Sequence, residues 1–330
     1  MLSIRSFPKI DAHIHFNADR GDLLALAGEY DFSVLTINTE VPEFPPIEQQ
    51  RQLALKYGPS SVTDLWHAAT VSTEEVFEKK WADQAISSIT KKMSEGACGI
   101  KFWKNIGMSI QRPDGSFLMP DDAELVPVFE FLEEQHIPVL GHQGEPKNCW
   151  LPVEEMTVKS DRDYFSRHPR YHMYKQPDYP DYRDHIESRD HLLERHPELR
   201  FVGLHLASLE WSLDEVARRL DTFPNLAVDL AERFSHLYYH AARDHEQVVR
   251  FFREYQDRII YGTDIIDDPD QDAEAILREL KDRWEMHWKF LATDQQLRSS
   301  QIEEPFNGLA LPQPVLEKIY RSNALRWYRL

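Results

Sequence analysis

Short apolar runs rich in β-branched residues alternate along the chain with longer stretches whose apolar positions recur every three or four residues. The short runs predict eight strands, at residues 10–15, 32–39, 62–71, 97–103, 137–142, 200–207, 226–231 and 259–265. The longer stretches predict helices at 73–94, 121–135, 186–196, 212–222 and 245–256. Ser72 or Thr73 would cap the first of these ahead of Glu74 and Glu75. Residues 272–330 read as mostly helical, broken by a Pro/Gly/Asn stretch at 304–314, and Pro42, Pro45 and Pro46 form a turn cluster behind the second strand. Strands that alternate with helices argue for βα units around a parallel sheet. Eight of them predict an α/β fold of the (β/α)8 TIM-barrel type, with a doubly wound open sheet as the alternative. No internal repeat or linker suggests a second domain, so residues 1–330 are expected to form one. Residues 144–182 break the rhythm after the fifth strand with Tyr164, Tyr171, Tyr174, Tyr179, Tyr182 and several prolines. A loop of that length in a compact domain is usually functional or disordered. Its aromatic content predicts an ordered insertion, placed over the barrel mouth.

Composition narrows the partners. At 330 residues, with 42% apolar and 28% charged positions, the chain suits a single globular barrel with a large core. Its 38 basic residues stand against 56 acidic ones, a formal charge of −18. So acidic a surface repels phosphate backbones and anionic membranes, which argues against either as a partner. Two cysteines, Cys98 and Cys149, at no metal-binding spacing fit a reducing cytoplasm. Residues 1–8 carry no apolar signal core, and no run of about 18 apolar residues occurs anywhere, so neither export nor a membrane span is expected.

The candidate chemistry gathers at strand ends. His13 and His15 lie two residues apart, and in an extended strand such residues face the same side, roughly 7 Å apart. The fifth strand ends in His142, the sixth in His205 and the eighth, in Tyr-Gly-Thr-Asp, in Asp264. Each follows apolar residues and so marks an exit from the core. A single such histidine is ordinarily a satisfied core residue. Four strand ends doing this together are hard to explain by packing, because every buried imidazole needs a partner. In a barrel, all four would meet at the C-terminal face, where active sites lie.

This combination of His-x-His on the first strand, histidines on the fifth and sixth, and Asp on the eighth resembles the amidohydrolase superfamily. The likeness is greatest to its amidohydrolase-related TIM-barrel branch of hydrolases, lactonases and decarboxylases of the aminocarboxymuconate-semialdehyde type. Residues 319–324, Ile-Tyr-Arg-Ser-Asn-Ala, are similar to the C-terminal helix of those proteins. The resemblance implies a divalent metal held by His13, His15, His142 and Asp264, with His205 a further ligand or a group orienting water or a substrate oxygen. Imidazoles with one carboxylate suit Zn2+ first, with Mn2+ or Fe2+ as alternatives. Such an ion lowers the pKa of its water to about 7. Asp264 would then accept and return the proton, and His205 would stabilise developing charge. Lys101, on the fourth strand, is carbamylated between two ions in some relatives, but this branch usually holds one ion. An unmodified Lys101 that binds a substrate carboxylate, or simply reaches into the barrel mouth, is the preferred reading, with a plain surface lysine of about equal weight, and Lys104 is expected in solvent. Arg233 is either a carboxylate clamp or, the stronger reading, the salt-bridge partner of Glu232 or another acid. Asp229 is expected only to be a buried hydrogen-bond partner. Tyr174 and the other tyrosines, with Trp150, His172 and Lys175, would wall a pocket for a small organic substrate, or the insertion would simply pack against its neighbours or form a homo-oligomer contact. The reading that results is a metal-dependent hydrolase of a small amide, ester or lactone. A non-oxidative decarboxylase on the same scaffold is the alternative, and an inactive binding protein the third.

Overall fold

The computed structural model describes residues 2–58 and 63–330. Val62, at the start of the expected third strand, lies outside the described residues. The strands are β1 (Lys9–Phe16), β2 (Phe32–Ile37), β3 (Leu65–Thr70), β4 (Ile100–Phe102), β5 (Val139–Gly141), β6 (Phe201–Gly203), β7 (Leu226–Asp229), β8 (Ile259–Ile260) and β9 (Ile265–Asp267). They pair in parallel in the order β8-β7-β6-β5-β4-β3-β2-β1-β9. β8 and β9 are two halves of the expected eighth strand. The first half pairs with β7 and the second with β1. Between them the Ala12 N–H donates to the Tyr261 carbonyl at 3.0 Å and the Asp264 N–H to the His13 carbonyl at 2.7 Å. The sheet therefore closes on itself, which makes it a (β/α)8 barrel and rules out the open doubly wound sheet.

Apolar residues on both faces of each strand build two layers, as parallel strands buried on both sides require. Leu35, Ile37, Ala68, Leu140, Val202, Ala227 and Ile260 fill the barrel, joined from below by Ala324, Trp327 and Tyr328 of the C-terminal segment. Val34, Ile100, Phe102, Val139, Phe201 and Val228 point outward into the larger core beneath the helices. Those helices include Trp81–Ser94, Val126–Glu134, Tyr182–Arg195, Leu213–Thr222, His245–Glu254 and Ala273–Ala292, near their expected places. Ser212 caps its helix by accepting from the Glu215 N–H, and Asp181 and Asp184 form a reciprocal capping box. The expected helix at 73–94 begins only at Trp81. The Glu40 carboxylate accepts from the hydroxyls of both Ser72 and Thr73, so those side chains tie two loops together and cap nothing. Asp22–Glu29, Ile47–Tyr57 and Phe234–Arg243 are further helices that the pattern did not reveal. The break near residue 304 is a short antiparallel pair, Gln296–Leu297 with Phe306–Asn307. Among the described residues, no helix is long and apolar enough to cross a membrane.

Candidate metal centre

A bulge in β1 builds the centre of the site. Asp11 lies opposite Val34 but Ile14 lies opposite Thr36, so three steps along β1 cover two along β2. The extra residue reverses the inside–outside alternation. Ile10 and Ala12 face the barrel interior, whereas Ile14 and Phe16 face the helices. His13 and His15 are thereby turned inward. His13 Nδ1 lies 2.6 Å from Asp229 Oδ2, His15 Nδ1 lies 2.8 Å from the Ile37 carbonyl, and His205 Nδ1 lies 2.9 Å from the Ala231 carbonyl. A carbonyl only accepts, so His15 and His205 carry their proton on Nδ1 and present the Nε2 lone pair. Asp264 Oδ1 stands 3.1 Å from Nε2 of both His13 and His15, and its Oδ2 stands 4.0 Å from Nε2 of His205.

Backbone geometry sets the other two side chains. His205 to Ser208 all take positive φ, between 55° and 58°, which ends the sixth strand at Gly203 and not at Ala207 as expected. Asp264 takes φ 61° in the interruption between β8 and β9. Left-handed backbone at non-glycine residues costs about 1–2 kcal/mol each and persists only where the surroundings impose it. Here Asp229, fully buried, accepts from both the His205 N–H and the His13 ring. Burial opposes ionisation of Asp264, yet His13, His15 and His205 hold its carboxyl well below the usual carboxylate range. Burial also pushes the imidazoles of His142 and His205 well below their ordinary pKa, so both stay neutral.

The remaining predicted residues fall in different places. The His142 ring lies 4.3 Å from that of His205, and its Nε2 faces Glu145 Oε2 at 4.0 Å. It stands beside the tight group of His13, His15 and Asp264, whose ligand atoms lie within 4.8 Å of one another. Lys101, on β4, is 1% exposed, which excludes a surface lysine. Burial pushes its ammonium down to about 8, against the pull of Asp264 and Asp229. Lys104, expected in solvent, pairs with Glu145. Arg233 is buried, donates from Nη1 to the Glu232 carbonyl at 3.0 Å, and leaves Nε without a partner. The Glu232 carboxylate binds Arg283 instead, so the expected Arg233–Glu232 salt bridge is absent. Tyr174 is 55% exposed and stacks on His172. His172 Nε2 and Trp150 Nε1 bond the carbonyls of Leu151 and Pro180, so these handles serve the insertion's own backbone. Asp229 and Glu145 are the site residues that sequence reasoning undervalued. Asp229 shared the strand-exit signal of the histidines, whereas Glu145, three residues past His142, carried none.

The donor set suits a divalent cation. The Nε2 atoms of His142 and His205 are buried without a hydrogen-bond partner, which is costly unless something accepts their lone pairs. Nitrogen donors joined by one carboxylate fit zinc, manganese or iron(II). Two surface grooves of about 570 and 560 Å³ lie elsewhere, one lined by Phe117, Asp121 and Tyr179, the other by Tyr238, Arg283 and His287.

Comparison with known proteins agrees with this architecture. Over 98% of its length the chain is similar to an uncharacterized TIM-barrel protein of Bordetella bronchiseptica, at 16% identity and a TM-score of 0.58 over 99% of that chain. It is similar to 2,6-dihydroxybenzoate decarboxylase from Rhizobium at 15% identity and a TM-score of 0.56, covering 98% of each chain. A putative amidohydrolase from Staphylococcus aureus matches at 13% identity and a TM-score of 0.53, over 98% of this chain and all of that one (100%). At such identities the likeness concerns the fold alone. No curated sequence is close enough to match. The sequence profile of the amidohydrolase family matches residues 10–330. The chain therefore belongs to the amidohydrolase family, whose members are enzymes that include hydrolases and decarboxylases.

Proposed function

We propose that this chain is a metal-dependent hydrolase that cleaves an amide, ester or lactone bond in a small organic anion. The observation that carries the reading is the convergence of imidazole Nε2 atoms, oriented through their Nδ1 bonds, on the carboxylate of Asp264. His13, His15 and Asp264 would hold the ion, with His142 or His205 completing the set. When bound, the ion supplies a Lewis acid and a water of lowered pKa, about 7 for zinc. Asp264, kept ionised by its neighbours, accepts the proton of the attacking water and returns it to the leaving group. Where His142 completes the set, His205 is free to orient the substrate oxygen.

The charge of the substrate follows from two cations. Among the described residues, neither Lys101 nor Arg233 has a carboxylate in ion-pair contact, although both are buried. Their charge reaches His205, whose proton affinity both help to lower. A buried cation without a partner is costly, and a substrate carboxylate would relieve it. The same pair supports the second reading, a non-oxidative decarboxylase, since it would hold the carboxylate to be lost. Residues 144–182 would cover the mouth: Tyr171 and Arg170 reach Glu43 behind β2, and Asp161 reaches His236 behind β7. Two free cysteines fit a cytoplasmic site.

Elemental analysis of purified protein should find about one divalent ion per chain, as a three- or four-ligand centre of this type holds. His15→Ala should lose it while keeping the fold. Asp264→Asn should abolish turnover of carboxylated lactones or amides and retain part of the substrate binding. Release of carbon dioxide from aromatic acids, with no hydrolysis, would favour the second reading. Wild-type protein free of metal, or Asp264→Asn with full turnover, would overturn both.

A further inference from the structure

Asp11 touches both halves of the candidate site without pointing into it. It lies on β1, fully buried, on the side of the sheet away from the imidazoles. Its Oδ2 accepts from the Thr263 hydroxyl at 2.7 Å and from the Trp284 indole N–H at 2.9 Å. Its Oδ1 accepts from the Thr263 backbone N–H at 3.0 Å and lies 3.5 Å from that of His13. Thr263 immediately precedes Asp264, and its carbonyl accepts from Arg283 Nη1 at 2.8 Å. One carboxylate thus grips the β1 bulge that turns His13 and His15 inward and the left-handed turn that carries Asp264.

We propose that Asp11 is the positioning residue of the cation site, setting the two histidines of β1 against Asp264. The inference rests on the metal reading above. Three N–H or O–H donors converge on it within hydrogen-bond distance, and only an acceptor-only group satisfies them all. An asparagine of the same shape would turn an NH2 against at least one donor, leaving buried polar groups opposed. Its neighbours would then relax, and the gap between the imidazoles and Asp264 would change with them. Groups that orient metal ligands from behind typically change affinity by about 10–100-fold when altered.

The test measures cation affinity by competition with a chromophoric chelator, together with the visible absorption of the Co2+-loaded protein and the melting temperature of the metal-free form. Asp11→Asn should bind Zn2+ and Co2+ at least ~10-fold more weakly and shift the Co2+ bands. Thr263→Val, which loses the hydroxyl but keeps the volume, should move both in the same direction by less, and Thr263→Ser should restore wild-type values. If Asp11→Asn does not fold, the two Thr263 variants carry the comparison. Variants that melt lower but keep wild-type affinity and Co2+ spectrum would overturn the inference and leave Asp11 a purely structural residue. Wild-type protein that takes up neither ion would overturn the metal reading itself, and the role of Asp11 with it.

Discussion

A β-carbon built on Gly262 would sit 2.7 Å from the β-carbon of His13, closer than such atoms approach, and 3.3 Å from the His13 nitrogen. This glycine lies between Tyr261 and Thr263 in the gap between β8 and β9, where the chain crosses directly behind the first histidine. His13 cannot retreat, because its ring is fixed on one side by Asp229 and its carbonyl by the Asp264 N–H. Overpacking of this kind costs about 1–3 kcal/mol. We expect Gly262→Ala to lower the melting temperature by a few degrees and to weaken cation binding by about tenfold or more, as displaced ligands do. Calorimetry with parallel chelator titration checks this. Unchanged affinity in a folded Gly262→Ala protein would show that His13 has room to move and that its placement matters less than the geometry implies. Lys101 and Arg233 are each buried where a charge is expensive, a cost that the proposed substrate carboxylate would offset.

At the scale of elements, the insertion packs partly on itself. Its own core is small, built around Cys149, Met156, Phe165 and Met173. Asp161, partly buried, joins it to helix Phe234–Arg243 at 3.2 Å from the buried His236 Nε2, and is held within the insertion by Asn148 Nδ2 at 2.8 Å. Removing Asp161 strands the ring of the buried His236 and the Asn148 amide without their carboxylate neighbour. Asp161→Ala should therefore let the segment open locally. We expect trypsin to cleave after Arg167 or Arg170 at least ten times faster than in wild type, with little change in the melting of the barrel. Equal cleavage rates would mean that Asp161 does not fasten the segment. The reach of sequence reasoning also divides by element. The strands were legible because both of their faces are apolar and short β-branched runs mark them. Helix Asp22–Glu29 was not, since it is short and Gly21 offers no side-chain cap. Helix Ile47–Tyr57 was hidden by Pro42, Pro45 and Pro46, which read as a turn although Pro46 is where the helix begins. His13, His15, His142, His205 and Asp264 were legible as strand exits. The bulge that aims the first two was not, because a bulge exists only relative to the partner strand, and neither was the left-handed run at His205–Ser208.

On the scale of the whole molecule, barrels of this kind separate a working face from a stabilising one, and β1 spans both. His15 stands at its upper end and Lys9 at its lower end, about 20 Å away at 3.3 Å per residue. Lys9 has no exposed surface. Its ammonium donates to the Phe7 carbonyl at 2.9 Å and lies over the rings of Phe32 and Phe7. Burial nonetheless pushes it down from 10.5 to about 8, and only Asp31 pulls the other way. Below pH 8 both folded and unfolded chains carry the charge, and the folded chain bears the cost of burying it. Between pH 8 and 10.5 the folded chain releases the proton first, so the unfolded chain binds more protons and stability rises with pH. Replacing the ammonium by an apolar group removes that dependence. Lys9→Met should thus exceed wild type in unfolding free energy at pH 7 by up to roughly 3 kcal/mol, less the contribution of the lost bond to the Phe7 carbonyl, with the gap closing as pH approaches 10.5. Urea unfolding at pH 7, 8.5 and 10 measures the gap. The two ends of the strand are too far apart to share partners, so the effects should be independent. Cation affinity in Lys9→Met should stay at the wild-type value, and a stability gap constant across this pH range would show that the ammonium reaches water.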